Sequence, residues 1–214
     1  MNNFSEKWNK FSAWWSNVFW YHYKWRVVTF AFIIIALVTL IYSVVSNVAP
    51  DYTISVTSRV MLVSEQFKEL ETVIGEHAGD KNGDGKKSAS VQIMNFTGGE
   101  NEYASKVKFT VLMNDKDFLM MILDRETLIQ YVTTENVLEP LKNLGIEADE
   151  PTGYGVRVDL WPIFERASLA DYAHFEETEY YMCFKTKNAY AQGEDIEAKY
   201  EYVVSLYNHL KEYK

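Results

Sequence analysis

The sequence predicts an α/β protein in three parts. These are an aromatic N-terminal helix over residues 1–26, one transmembrane helix over 27–48, and a compact extracytoplasmic α/β domain over 49–214 with a mainly parallel sheet. Three observations carry that expectation. Val27 to Val48 is a run of 22 residues without a charged residue, a glycine or a proline. Charge and tryptophan divide at that run: residues 1–26 hold five of the six tryptophans and a net charge of +3, whereas everything after Arg26 carries −12. From Pro50 onward apolar strands and amphipathic helices alternate, which is the order of an α/β layer domain.

At about 1.5 Å per residue the uncharged run exceeds the ~30 Å hydrocarbon core of a bilayer. Its centre, Phe30 to Val38, is apolar all round, as lipid exposure requires. A cleaved signal peptide is the competing reading. The length of the run, the aromatic leader and the lack of a small-residue cleavage site speak against it. Lys7, Lys10, Lys24 and Arg26 precede the span and Asp51 follows it, so the positive-inside rule puts the N-terminus in the cytoplasm and the acidic domain outside. Within the leader, Phe4, Trp8, Phe11, Trp15, Val18, His22 and Trp25 recur at helical spacing. Indoles prefer headgroup depth and lysines suit anionic lipid, which makes Trp8, Trp15 and Trp25 the candidate membrane-interface residues. Two readings stand: a helix lying on the inner leaflet or docking a membrane partner, and an aromatic belt that sets the depth of the anchor.

In the outer domain, Tyr52 to Thr57 alternates apolar and polar residues and reads as a strand. Val63, Phe67, Leu70 and Ile74 mark one face of a helix that Gly75 or the following turn ends. Asp80 to Gly85 has the dipeptides of a turn. Val91–Phe96 and the apolar run Phe118–Leu123 are further strands, the second covered on both faces. Residues 106–113 are ambiguous. Their alternation favours a strand, while a parallel crossover needs a helix. Helical patterns follow over Arg125–Thr133 and Val137–Leu144, then strands over Gly155–Leu160 and Tyr180–Lys185. A last helix carries the stripe Ile196, Tyr200, Val203, Tyr207 and Leu210.

Tyr23-Lys24-Trp25 before the span, Pro50-Asp51-Tyr52 after it, the loop Asp80-Lys81-Asn82-Gly83-Asp84-Gly85-Lys86 and a strand ending at Asp124 occur here in that order. In these features the chain resembles a group of uncharacterised single-pass membrane proteins of Gram-positive, Clostridia-like bacteria. The resemblance implies an outer domain like one lobe of a type 2 periplasmic-binding-protein fold, with β-α-β order, and a helix at 106–113. A two-lobed binding protein encloses its ligand between lobes, and this chain is too short for two. The likeness implies an architecture and no activity.

Asp80-x-Asn82-x-Asp84-Gly85 is the opening of a calcium loop: alternate oxygens converge on a hard cation, and Gly85 permits the sharp turn. Lys86 would supply its backbone carbonyl, and Ser88 falls at the ninth position. Val91 stands where an EF-hand has its bidentate glutamate, so an ordinary EF-hand is excluded. A weaker structural calcium loop, completed by Glu100 or Glu102, and a plain turn both remain. Thr97-Gly98-Gly99 is read as a turn rather than an anion site. Asp124 is read as a helix cap rather than a ligand-binding strand end. Cys183 lies in an apolar strand and is read as core. It is the sole cysteine, which excludes an intramolecular disulfide. His77, His174 and His209 are scattered, with no zinc or hydrolase motif around them. Glu176, Glu177 and Glu179 form an acidic cluster.

The net charge of −9 argues against nucleic acid as a partner. The expected function is a membrane-anchored, extracytoplasmic binding or protein-interaction module in contact with lipid and a membrane-protein partner such as a transporter. The alternatives are an extracellular hydrolase using carboxylates near Asp124 or Glu176–Glu179, and a solute receptor with a deep pocket at the strand carboxyl ends.

Overall fold

The computed structural model describes residues 3–46, 50–133, 137–169, 178–187 and 196–213. Two compact units appear, Met1–Ala49 and Pro50–Lys214. In the first, α1 (Asn3–Trp14) passes through a single π-helical turn (Trp15–Phe19) into α2 (Trp20–Ser46). Trp20–Ser43 is long and apolar enough to cross a membrane. The helix thus begins well before the predicted span, whose last two residues lie outside the described ones. The leader's stripe also differs from the expected one. Ring contacts run Trp8–Phe11–Trp15 and then Trp15–Phe19 (4.4 Å, stacked) and Phe19–Tyr23 (5.6 Å), not on toward His22 and Trp25. The wider π turn holds an extra residue, which shifts the aligned face by one position.

The second unit has three layers. Its strands are β1 (Tyr52–Ser58), β2 (Ala89–Asn95), β3 (Met120–Asp124), β4 (Val156–Arg157) and β5 (Tyr180–Phe184). Its helices are α3 (Lys68–Ala78), α4 (Gly99–Asn114), α5 (Arg125–Val132), α6 (Pro162–Arg166) and α7 (Ile196–Glu212). The sheet order is β2-β1-β3-β5-β4. β1 is parallel to β2 and β3, whereas β5 is antiparallel to β3 and β4. The sheet is therefore mixed, which corrects the expectation of a mainly parallel one. All five β5 residues are buried, and a strand covered on both faces reads as an apolar run whichever way it points. Its direction follows from where the chain arrives. Tyr180 enters beside Asp124, at the end of β3, and the strand runs back along it.

Alternate strand residues face two cores. Ile54, Val56, Met120, Ile122 and Phe184 pack with Leu70 and Ile74 of α3, Phe164 of α6, and Val203 and Leu210 of α7. Met94, Met121, Leu123 and Cys183 meet Phe109 of α4 and Leu128 of α5 on the other face. Residues 106–113 are helical. Phe109 is buried there while Val107 and Val111 stay exposed, so the alternation is not one of burial, and the β2-to-β3 crossover takes the helix. Gly75 does not end α3. A Cβ there would come within 3.2 Å of the Ala89 nitrogen and the Lys87 carbonyl oxygen, so the glycine lets the approach to β2 pass close to the helix.

Two further expectations are corrected. Residues 137–139 are extended: Leu138 bridges Lys185, and the Glu139 N–H donates to the Phe184 carbonyl at 2.8 Å. Only Leu141–Leu144 form a 3₁₀ turn, because Pro140 disfavours helical backbone at the residue before it. The strand at 155–160 keeps only Val156 and Arg157, since the chain turns at Val158, whose carbonyl accepts from the Trp161 N–H.

Asp124 closes β3 and caps α5. It is fully buried, accepts from the Thr127 N–H (2.9 Å) and the Thr127 hydroxyl (2.8 Å), and lies 3.4 Å from the Thr57 hydroxyl. Asp124→Ala should destabilise the domain by about 2–3 kcal/mol, ~1 from the lost cap and the rest from the buried Thr127 hydroxyl left without its acceptor. Thermal melts of the full chain in non-ionic detergent measure this. Glu126→Ala, which removes an exposed partner of Arg59, should stay within about 0.5 kcal/mol of wild type.

Candidate functional site

Four chain segments meet at the amino ends of β1 and β3 around an open pocket of about 430 Å³. They are Pro50–Thr53 entering β1, Lys81 and Asn82 of the loop after α3, Asp115–Leu119 leading into β3, and Lys199 and Tyr202 on α7. The volume lies within the range of small-molecule sites.

Asp51 builds one wall. Its Oδ1 accepts from the N–H groups of Lys81 (2.8 Å) and Asn82 (3.0 Å), and its Oδ2 from that of Ser88 (2.8 Å). The Asp51 N–H donates back to the Ser88 carbonyl at 2.9 Å. These hydrogen bonds, led by the one from Ser88, hold the Asp51 carboxyl below its ordinary value of 3.8. The loop between is closed by its own side chains. Asp80 accepts from the N–H groups of Gly83, Asp84 and Gly85, Asn82 from that of Asp84, and Asp84 from that of Lys86. Gly83 and Gly85 take positive φ (75° and 81°), which accounts for the Asn-Gly and Asp-Gly dipeptides.

The candidate calcium ligands thus share one loop, and their oxygens also receive main-chain donors. Ser88 turns its N–H to Asp51. Glu102 does not complete the set. It pairs with Lys106 at 2.5 Å and accepts from the Gly98 N–H, with the seven residues of β2 (roughly 20 Å) between it and the loop. The Glu100 side chain lies outside the described residues. Among the described residues no three His, Cys, Asp or Glu side chains gather at metal-ligating distance; Asn82 and carbonyl oxygens stand outside that count.

Lys81 is the charged side chain that the loop presents to the pocket. The residue is exposed, and its ammonium lies 3.7 Å from the Tyr202 ring centre and 5.0 Å from that of Tyr52. Desolvation lowers its pKa, against the attraction of Asp117 and Asp51. The Tyr202 hydroxyl is buried without a hydrogen-bond partner among the described residues, and burial, then the Asp51 charge, raise its pKa. Across the pocket Lys199 pairs with Asp117 at 2.8 Å. The buried Lys185 donates to the Asp115 carbonyl at 2.9 Å.

At the opposite end of the sheet the described polar groups engage one another. Arg157 grips the buried Asp159 through Nε and Nη2 and reaches Glu179 at 2.9 Å. Glu179 also takes Arg125 and the Tyr181 hydroxyl, and Ser58 meets the Tyr180 hydroxyl at 2.7 Å. Asp124 and Glu179 are therefore engaged in structural contacts. His174, Glu176 and Glu177 lie outside the described residues. Cys183 is buried, and desolvation pushes its thiol pKa well up, which disfavours a thiolate. Gly98 and Gly99 both have positive φ and serve the turn. His77 and His209 are not scattered but stacked, 4.6 Å apart. Trp8, Trp15 and Trp25 are all exposed along the first unit.

The pocket itself was not foreseen. Only the 80–86 loop carried a local pattern; Lys199, Tyr202 and Asp117 come from distant segments. No protein-family model matches the chain, and no match to it was found among the curated proteins or the solved structures.

Because its folded value is depressed, Asp51 contributes stability that is fully present above pH 3.8 and lost as pH falls through the folded value. Asp51→Asn should melt lower than wild type at pH 6. The gap should shrink steadily below about pH 4, when wild-type Asp51 also becomes neutral. Parallel melting curves with a constant gap down to pH 2.5 would show that Asp51 does not act through its charge.

Proposed function

We propose that the chain is a membrane-anchored binding module, with its N-terminus in the cytoplasm and its Pro50–Lys214 domain outside the cell. The domain captures a ligand or a membrane-protein partner at the pocket between the amino ends of β1 and β3. The observation that carries this reading is the pocket itself. Charged and aromatic side chains from four segments surround open volume there, whereas Glu179 at the other end is engaged by Arg125 and Arg157. The β1-α3-β2-α4-β3 order supports the likeness to one lobe of a type 2 periplasmic-binding-protein fold. The acidic domain and basic leader support the orientation.

The reading includes a weak structural calcium at Asp80, Asn82 and Asp84, joined by the Lys86 carbonyl. It is supported by the gathering of these oxygens in one loop and by lone pairs left after each accepts its main-chain donors. Without a bidentate glutamate, a Kd of ~10⁻⁴–10⁻³ M is the expected scale. Calcium at one to ten times Kd would then stabilise the domain by about 0.4–1.4 kcal/mol.

A thermal-shift screen of the full chain in non-ionic detergent tests both parts. Ligands should raise the melting point of wild type and fail to do so in Asp117→Trp, which blocks the exposed rim. Hits unaffected by that variant would move the site elsewhere. Calcium should shift the wild type more than magnesium does, and Asp84→Ala not at all; equal behaviour of the two proteins would leave the loop a plain turn.

Orientation has its own measurement. Protease added to intact protoplasts should leave a protected fragment of about 5–6 kDa, the leader and span. Protection of the whole chain would reverse the topology.

A further inference from the structure

We propose that the pocket takes an anionic group, a carboxylate or a phosphate, as the counter-ion of Lys81. This rests on reading the pocket as the binding site and adds the chemical class of its ligand. Its basis is the pairing of charges around the opening. Asp51 is engaged by three main-chain N–H groups. Asp117 is paired with Lys199, and Asp115 accepts from the Asp117 N–H at 2.9 Å. Lys185 is turned to a carbonyl oxygen. Lys81 remains. Among the described residues no carboxylate lies within 4.0 Å of its ammonium, which stands against the rings of Tyr202 and Tyr52, with Asp117 and Asp51 acting on it from farther off.

A ring face compensates a cation only in part: about 0.5–1 kcal/mol at exposed sites and about 2 where desolvated. An anion entering the pocket meets an ammonium whose residue is tethered through its main chain, so less ordering entropy is lost on binding. The loop supplies the fixing. Asp51 holds the backbone of Lys81 itself, and Tyr202 bounds the ammonium from α7. Pro50, Phe118 and Leu119 leave an apolar margin beside the charge, suited to a small organic acid or to the phosphate of a larger molecule.

A lipid headgroup and a free anion share this chemistry, and the experiment separates them. The full chain, labelled with ¹³C at lysine Cε and at the tyrosine ring Cε positions, with Tyr202 assigned by Tyr202→Phe, is titrated in non-ionic detergent with sodium phosphate and with sodium acetate at fixed ionic strength. It is then placed in phosphatidylcholine nanodiscs with and without phosphatidylglycerol. Lys81, assigned by Lys81→Gln, should shift saturably with phosphate or acetate, and binding should weaken at least tenfold in that variant. Lys108→Gln, exposed on α4 and outside the pocket lining, should bind as wild type. A shift seen only with phosphatidylglycerol supports the same chemistry with lipid as its source. If neither anion nor lipid moves Lys81 while tetramethylammonium displaces the Tyr202 ring signals, the anion assignment fails and the binding pocket stands. If nothing moves either residue, both readings fail.

Discussion

The Asp51 carboxylate is the point on which the amino end of this sheet depends. A chain leaving α3 must return to lie parallel beside β1, and its loop carries main-chain donors that water or protein must satisfy. Asp51 takes three of them, from Lys81, Asn82 and Ser88. The Asp51–Ser88 main-chain bond is also the step before the first register pair, Tyr52 with Ala89. One side chain therefore sets the start of the β1–β2 ladder, ties down both ends of the loop and fixes where Lys81 emerges. The Asx turns inside the loop then need only local geometry, which Gly83 and Gly85 permit.

That division of labour explains the contrast between the two ends of the sheet. In open α/β sheets the crevice at the strand carboxyl ends, where the order reverses, is the usual place for a ligand. Here β1 is that reversal, with β2 on one side and β3 on the other, and the described polar groups at that crevice are engaged with one another. Asp124 caps α5, the Tyr180 hydroxyl reaches Ser58, and Arg157 locks the buried Asp159. The fully buried Asp159 matters most in this network, because an ion pair there cannot be replaced by water without leaving a buried charge. Outlying pairs such as Arg59–Glu126 contribute little. At the amino end the described side chains border open volume instead.

Much of this was legible in the sequence wherever the controlling interaction is local. Asp124 reads as a cap because a cap and its helix are adjacent in the chain, and Cys183 reads as core because its strand is apolar on both faces. The direction of β5 was not legible, since burial on both faces erases the alternation that relates a strand to its neighbours. The helix at 106–113 was decided by topology against its own pattern: Val107 and Val111 alternate with polar residues yet are exposed. The stacking of His77 on His209 and the meeting of Lys81 with Tyr202 join segments more than 100 residues apart, and no spacing rule reaches that far. Only the loop half of the pocket was therefore visible beforehand.

The leader poses the remaining physical problem. From Asn3 to Ser46 the chain is helical with one wide turn, about 65 Å at 1.5 Å per residue, against a hydrocarbon core of ~30 Å. On the proposed anchoring, Trp20–Ser43 accounts for the core, and the preceding turns project about 25 Å beyond it. Those turns carry a ladder of aromatic rings on one face and Lys7 and Lys10 on another. Standing upright in water, Trp8, Phe11 and Trp15 would all be hydrated, at a cost of roughly 25 cal/mol per Å² of apolar surface. Laid along the headgroup layer, the same rings are buried and the lysines reach lipid phosphate. The change of direction needs a weak place in the helix, and the π turn at Trp15–Phe19, next to the start of the apolar stretch, is where bending meets least resistance. The stacked Trp15–Phe19 pair spans that turn, so the aromatic face continues across the place where the bend would occur.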